Sequence, residues 1–88
     1  MQLGRKSAKE NTVSEYEWID TFGDNLQDMM RDANMSQLEL ANITGLSKST
    51  ISRYINKLMM PSLRAIINIA YALDCSVDDL VDFGDTIE

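Results

Sequence analysis

Residues 36–54 read SQLELANITGLSKSTISRY, and the topology of the whole chain can be inferred from them. Ser36 followed three positions later by Glu39 fits a capping box, in which hydroxyl and carboxylate each take a backbone amide at a helix start. Met35, just before the cap, can pack on Leu40 as a hydrophobic staple. The spacing predicts a helix from Gln37 to Ile43 or Thr44 that buries Leu38 or Leu40, together with Ala41 and Ile43. Gly45 ends it, because glycine takes the φ > 0 geometry of a tight turn at little cost. Leu46 and Ser47 repeat staple and cap at once, with Ile51 four positions after the cap, and a further helix follows from about Lys48 to Ile55 or Asn56. Two helices joined through three residues that include a turn glycine make a helix-turn-helix.

The flanks supply the rest of a small helical domain. Upstream, residues 1–14 are polar and without periodicity, which reads as a flexible arm whose early part carries Arg5, Lys6 and Lys9. Trp18, Phe22, Leu26, Met29, Met30 and Ala33 then recur at steps of three and four, with Asp20, Asp24, Asp28 and Asp32 on the opposite face as a solvated stripe. Asn34 suits a left-handed stop. Downstream, Lys57 to Met60 form a linker, and Pro61 with Ser62 opens a fourth helix. Its residues Leu63, Ile66, Ile67, Ile69, Ala70 and Leu73 make it the most apolar element and the expected centre of the core, and Asp74 ends it. Cys75, Ser76 and the acidic Asp78-Asp79 start a short fifth helix to about Asp82. Residues 15–83 therefore read as one helical domain and 84–88 as an acidic tail.

In 88 residues there is room for one domain with a core near the lower limit for stability without staples. A single cysteine excludes an intramolecular disulfide, and the absence of histidine excludes both a Cys/His zinc site and a histidine base. No nucleophile, base and oxyanion constellation is visible, so neither catalysis nor a cofactor or metal is expected. No apolar run is long enough to span a bilayer and no signal pattern opens the chain, which leads us to expect a soluble, cytoplasmic protein without a membrane partner. The formal charge is −6, yet from Leu40 to Leu73 there are four basic residues, Lys48, Arg53, Lys57 and Arg64, and no acidic one. A positive face on an acidic body suits a polyanion. Much of that window is acid-free because it is buried, and the functional signal narrows to the face from Lys48 to Lys57.

The runs Ser36 to Ala41, Thr44 to Ser47 and Ser49 to Tyr54, with Pro61-Ser62-Leu63, Ala72 to Ser76 and Asp78-Asp79-Leu80 after them, resemble the XRE family, to which phage repressors and Cro proteins belong. The resemblance covers about Phe22 to Asp82. It implies an all-α, compact five-helix, lambda-repressor-like DNA-binding domain with its helix-turn-helix at helices 2 and 3, and a recognition helix of about 48–56 in the major groove. By position in the motif, Lys48, Ser49, Ser52 and Arg53 match base readers and Gln37 a phosphate contact. On chemical grounds Lys48 and Arg53 can donate to guanine O6 and N7, and Ser49, Ser52 and Asn56 can pair with base edges or phosphates. Thr50 can touch a phosphate or pack, and Gln37 reads equally as a plain first-turn helix former. Ser47 and Ser62 are best explained as caps, Tyr54 as core or rim, and Cys75 as a buried apolar residue. The family often has an acidic residue at the position of Ile55 and a glycine at that of Lys57, implying a different path for this loop and letting Lys57 reach a phosphate. The arginine common near the end of its first helix is absent at Met30, with Arg31 adjacent.

The expected partner is therefore a double-stranded DNA operator, bound by a transcriptional regulator, a repressor of prophage or mobile-element type. Acids away from the contact face weaken non-specific binding without preventing phosphate contact. A homodimer on a two-fold site would raise affinity, through Val81, Phe83 and Ile87 or through Tyr16 and Trp18, although these residues can equally fold back on their own domain. The alternative is a protein-interaction module on the same scaffold, antitoxin-like or an anti-repressor partner, using the acid faces to bind a regulatory protein.

Overall fold

A computed structural model describes residues 14–82. They form five helices, α1 (Glu15–Asp32), α2 (Gln37–Thr44), α3 (Lys48–Ile55), α4 (Leu63–Leu73) and α5 (Val77–Val81), with no strand among the described residues. Each helix starts from a serine, Ser14, Ser36, Ser47, Ser62 or Ser76, whose hydroxyl accepts the amide three residues on. Three of these are full capping boxes, with Glu17, Glu39 and Asp79 accepting the cap amide in return. Those bonds from Ser36 hold the Glu39 carboxyl below the usual carboxylate range.

The helix ends are equally local in origin. Asn34, Gly45, Lys57 and Asp74 all have positive φ, at 54°, 80°, 64° and 54°. At the ends of α1, α3 and α4 two amides turn back on the last carbonyls. Met35 N donates to Met30 O at 3.0 Å, Leu58 N to Arg53 O at 2.8 Å and Cys75 N to Ala70 O at 3.0 Å. These are Schellman closures, which satisfy carbonyls that the helix itself leaves without donors. The end of α5 is closed from outside, where Asn25 Nδ2 of α1 donates to Leu80 O and Asp82 O, both at 3.0 Å.

The core collects Phe22, Leu26 and Met30 of α1, Leu40 and Ala41 of α2, Ile51 and Tyr54 of α3, Ala65, Ile66, Ile69, Ala70 and Leu73 of α4, and Leu80 of α5. Trp18 stacks on Phe22 with ring centroids 5.6 Å apart, and Phe22 meets Tyr54 edge-on at 5.7 Å. α1 packs on α3 and α5, while α2 packs on α3 and α4.

Several expected core residues face outward. Ile43 is 60% exposed and Leu38 55%. The inward arc of α2 is Gln37, Leu40, Ala41 and Thr44, and at 100° per residue Leu38 and Ile43 flank it by roughly 110° on either side. For the same reason Leu63 and Ile67 of α4 lie outside the arc of Ala65, Ile66, Ile69, Ala70 and Leu73. Cys75 is half-buried, and burial raises its thiol pKa, with Asp79 and Asp74 adding to the effect. Met30 is buried and Ile55 packs against the core, so two of the three departures from the family pattern put an uncharged residue there.

Candidate nucleic-acid interface

α3 begins at the Ser47 hydroxyl, which accepts from Thr50 N at 3.0 Å and lies 2.8 Å from Thr50 Oγ1. Thr44 Oγ1 donates to Leu40 O at 2.8 Å and accepts Leu46 N at 3.2 Å, bracing the turn that Gly45 opens. The turn between α2 and α3 is thus braced by backbone and hydroxyl bonds, and no ion pair joins the two helices among the described residues. Ile51 and Tyr54 bury one side of α3. At 100° per residue, Lys48, Ser49, Ser52, Arg53 and Asn56 fall within an arc of about 140° on the other.

The expected contact residues, on this arc and beside it, are found in three states. Lys48, Ser49 and Arg53 are exposed, and neither Lys48 nor Arg53 has an ion-pair partner among the described residues. Gln37, in the first turn of α2, and Thr50 are half-buried. Ser52 and Asn56 are tied to each other, because Asn56 Nδ2 donates to Ser52 O at 2.9 Å and to Ser52 Oγ at 3.2 Å. A backbone carbonyl only accepts, so the amide group facing it is the NH₂. The Ser52 hydroxyl oxygen therefore accepts from Asn56.

Lys57 is placed differently. Its ammonium lies 2.9 Å from Asp20 Oδ1 and 2.8 Å from Asp24 Oδ1, both on α1, and these carboxylates hold its pKa above the ordinary lysine value. The stem of this residue runs away from the arc of α3. The acid stripe of α1 is correspondingly less free than a solvated face would be, since Asp28 also pairs with Arg31. The loop keeps the left-handed conformation that a glycine would supply, at a residue with no intrinsic preference for it. Gly23 completes the contact, because a Cβ there would lie 2.8 Å from Tyr54 O. Sequence patterns singled out none of Gly23, Asp20 or Asp24 for this role. The available signal was their spacing, a small residue between two acids on one helical face.

Among the described residues no group of three or more His, Cys, Asp or Glu is placed to hold a metal, and no helix is long and apolar enough to cross a membrane. The basic arm residues Arg5, Lys6 and Lys9 and the tail residues Phe83 and Ile87 lie outside the described residues. Of the apolar residues considered for a dimer contact, Trp18 and Val81 pack on the core and Tyr16 is 88% exposed.

Five helices with a serine-capped helix-turn-helix and an exposed basic arc on its second member define a DNA-binding module. The chain belongs to the Cro/C1-type HTH DNA-binding domain family, whose model matches residues 25–85. A relative is the SPbeta prophage-derived uncharacterized HTH-type transcriptional regulator YopS of Bacillus subtilis (strain 168), 38% identical over 60 residues that span 66% of this chain and 80% of that protein. Among solved structures, the restriction-modification controller protein C.AhdI from Aeromonas hydrophila superposes with a TM-score of 0.68 at 29% identity, covering 70% of this chain and 94% of that one. The hypothetical transcription factor NHTF from Neisseria gives 0.71 at 25% identity, over 78% and 79% of the two chains. An HTH_3 family transcriptional regulator from Vibrio cholerae shares the fold, with a TM-score of 0.73 at 18% identity over 76% of this chain and 38% of that one.

Proposed function

We propose that the protein is a sequence-specific double-stranded DNA-binding transcriptional regulator, a repressor of prophage or mobile-element type, that places α3 in the major groove and acts in the cytoplasm by binding, without catalysis. The observation that carries this is the outward arc of α3, acid-free and with Lys48 and Arg53 unpaired among the described residues. Arg53 can take guanine O6 and N7 bidentately, and Lys48, Ser49 and Ser52 can donate beside it. Gln37 and Thr50, half-buried in the first turns of α2 and α3, take phosphates in this proposal, with helix N-terminal amides adding to the attraction. The prophage origin of YopS and the controller role of C.AhdI support the regulatory part of the proposal. A two-fold pair on half-sites about one helical turn apart would supply the affinity that one short helix lacks.

The protein-interaction alternative needs a free acid face. On α1, Asp20 and Asp24 are held by Lys57 and Asp28 by Arg31, which weakens that alternative. A footprint of the DNA upstream of the gene tests the proposal. Two protected half-sites are expected, with affinity that falls as salt rises. Absence of any protected sequence at low salt would reject it.

A finer expectation concerns the Ser52 and Asn56 pair. Each of Ser52→Ala and Asn56→Ala should weaken operator affinity by about fivefold, and the double substitution by no more, since one neutral hydrogen bond is worth about 1 kcal/mol. Additive losses in the double-mutant cycle would mean that Asn56 acts on DNA directly and not through Ser52.

A further inference from the structure

Lys57 is the one basic residue between the recognition arc and the end of the motif, and by charge alone it belongs to the DNA. Its geometry assigns it elsewhere. Three independent features meet at this point. The Lys57 backbone is left-handed, φ 64°, and its amide closes α3 by donating to Tyr54 O at 3.2 Å. Its ammonium is held between Asp20 and Asp24, one turn apart on α1. Between those two acids, Gly23 allows the backbone of α1 to approach the last carbonyls of α3, with a Cβ there only 2.8 Å from Tyr54 O and 3.3 Å from Ile55 O.

We propose that Lys57, Asp20 and Asp24 form a clamp that positions the recognition helix, with Lys57 acting as a positioning residue and not as a phosphate ligand. α3 has eight residues and is anchored at its start by the Ser47 cap. Ile51 and Tyr54 bury its inner side, and the clamp adds a fixed point just beyond them, next to the end that carries Arg53 and Asn56. It joins the C-terminal end of α3 to the long helix α1, and α1 in turn carries Phe22 and Leu26 into the core. Exposed ion pairs contribute little to folding stability, so the effect falls on the aim of Arg53 more than on the melting temperature. The same contact withdraws one cation from phosphate, which shifts affinity away from charge and toward base readout.

The inference rests on the DNA-binding proposal above, and its test separates the two. Three variants are compared with the parent on operator and on random duplex across a salt series: Lys57→Gly, which suits φ > 0, Lys57→Arg, and Asp20→Asn combined with Asp24→Asn. The ratio of operator to random affinity should fall about tenfold in the glycine and the double asparagine variants, within the range for one mismatched base pair, and recover in Lys57→Arg. Because added or lost charge moves both DNAs together, a ratio that stays at the parent value in either variant overturns the proposal. The salt slope of Lys57→Gly should equal that of the parent, whereas a slope smaller by about one would show a phosphate contact and also overturn it. Hydrogen exchange reads the clamp without DNA. In the double asparagine variant the Lys57 and Leu58 amides should exchange faster, and unchanged rates would reject the clamp even if the parent protein bound no DNA at all.

Discussion

Lys48→Ala and Arg53→Ala, combined in one chain, are expected to abolish the operator footprint while leaving thermal unfolding almost unchanged. Both side chains are exposed and neither has an ion-pair partner among the described residues, so truncation removes no packing and leaves no buried charge. The cap at Ser47 and the buried pair Ile51 and Tyr54, which hold α3 in place, are untouched. Surface substitutions of this kind fall within about 0.5 kcal/mol of the parent in stability. On DNA the balance is reversed. A side chain that pairs with a guanine edge contributes about 1 to 3 kcal/mol of discrimination, so losing two should cost at least about 30-fold in operator affinity.

The control is Arg31→Ala, which removes a positive charge from α1, where Arg31 pairs with Asp28. It should shift operator and random DNA together and by little. If the double variant does no more than two such charge losses, α3 is not the reading element. The measurement is then evidence for the protein-interaction alternative, which makes no use of these two side chains.

The helix boundaries were legible because they are written in short-range chemistry. A serine followed three residues on by Glu39 or Asp79 needs nothing distant to become a capping box, and Asn34 and Asp74 tolerate positive φ wherever they stand. The choice of inward face was less legible in α2 and α4, where apolar residues surround the helix and period alone does not choose an arc. There the partner helices decided, taking Leu40 and leaving Ile43 outside. Lys57 was the least legible of the candidate contacts. A lysine announces a charge but not where its flexible stem delivers it, and here two acids more than thirty positions earlier in the chain receive it. The polar face of α3 was legible from helical period alone, but its side-chain arrangement, with Lys48 and Arg53 exposed and Asn56 bonded to Ser52, depends on side-chain geometry.

Gly23→Val should destabilise the fold by about 2 to 3 kcal/mol, the upper part of the range for forcing atoms into a filled contact. Intrinsic propensity alone predicts the opposite sign, since glycine inside a helix costs about 1 kcal/mol relative to alanine and valine also exceeds it. The structure explains why tertiary contact wins. A Cβ at position 23 would sit 2.8 Å from Tyr54 O and 3.3 Å from Ile55 O, both backbone atoms at the closed end of α3, and 3.1 Å from Lys57 Cγ. The lysine stem can move aside, but the carbonyl of Tyr54 cannot, because it already accepts the Lys57 amide and its own ring is buried against Phe22. α1 and α3 must then separate, loosening the stack of Phe22 and Tyr54. For a domain of this size the loss corresponds to a fall of roughly 10 to 20 °C in melting temperature. Gly45→Ala gives the contrasting case. Nothing lies within 4 Å of a Cβ there, and its cost comes from φ 80° alone, about 1 to 2 kcal/mol. Asparagine at position 45 should therefore recover part of the loss, whereas no side chain at position 23 should recover any. A Gly23→Ala or Gly23→Val protein that melts higher than the parent would show that α1 and α3 do not meet this closely, and would remove the steric basis on which the clamp at Lys57 holds the recognition helix.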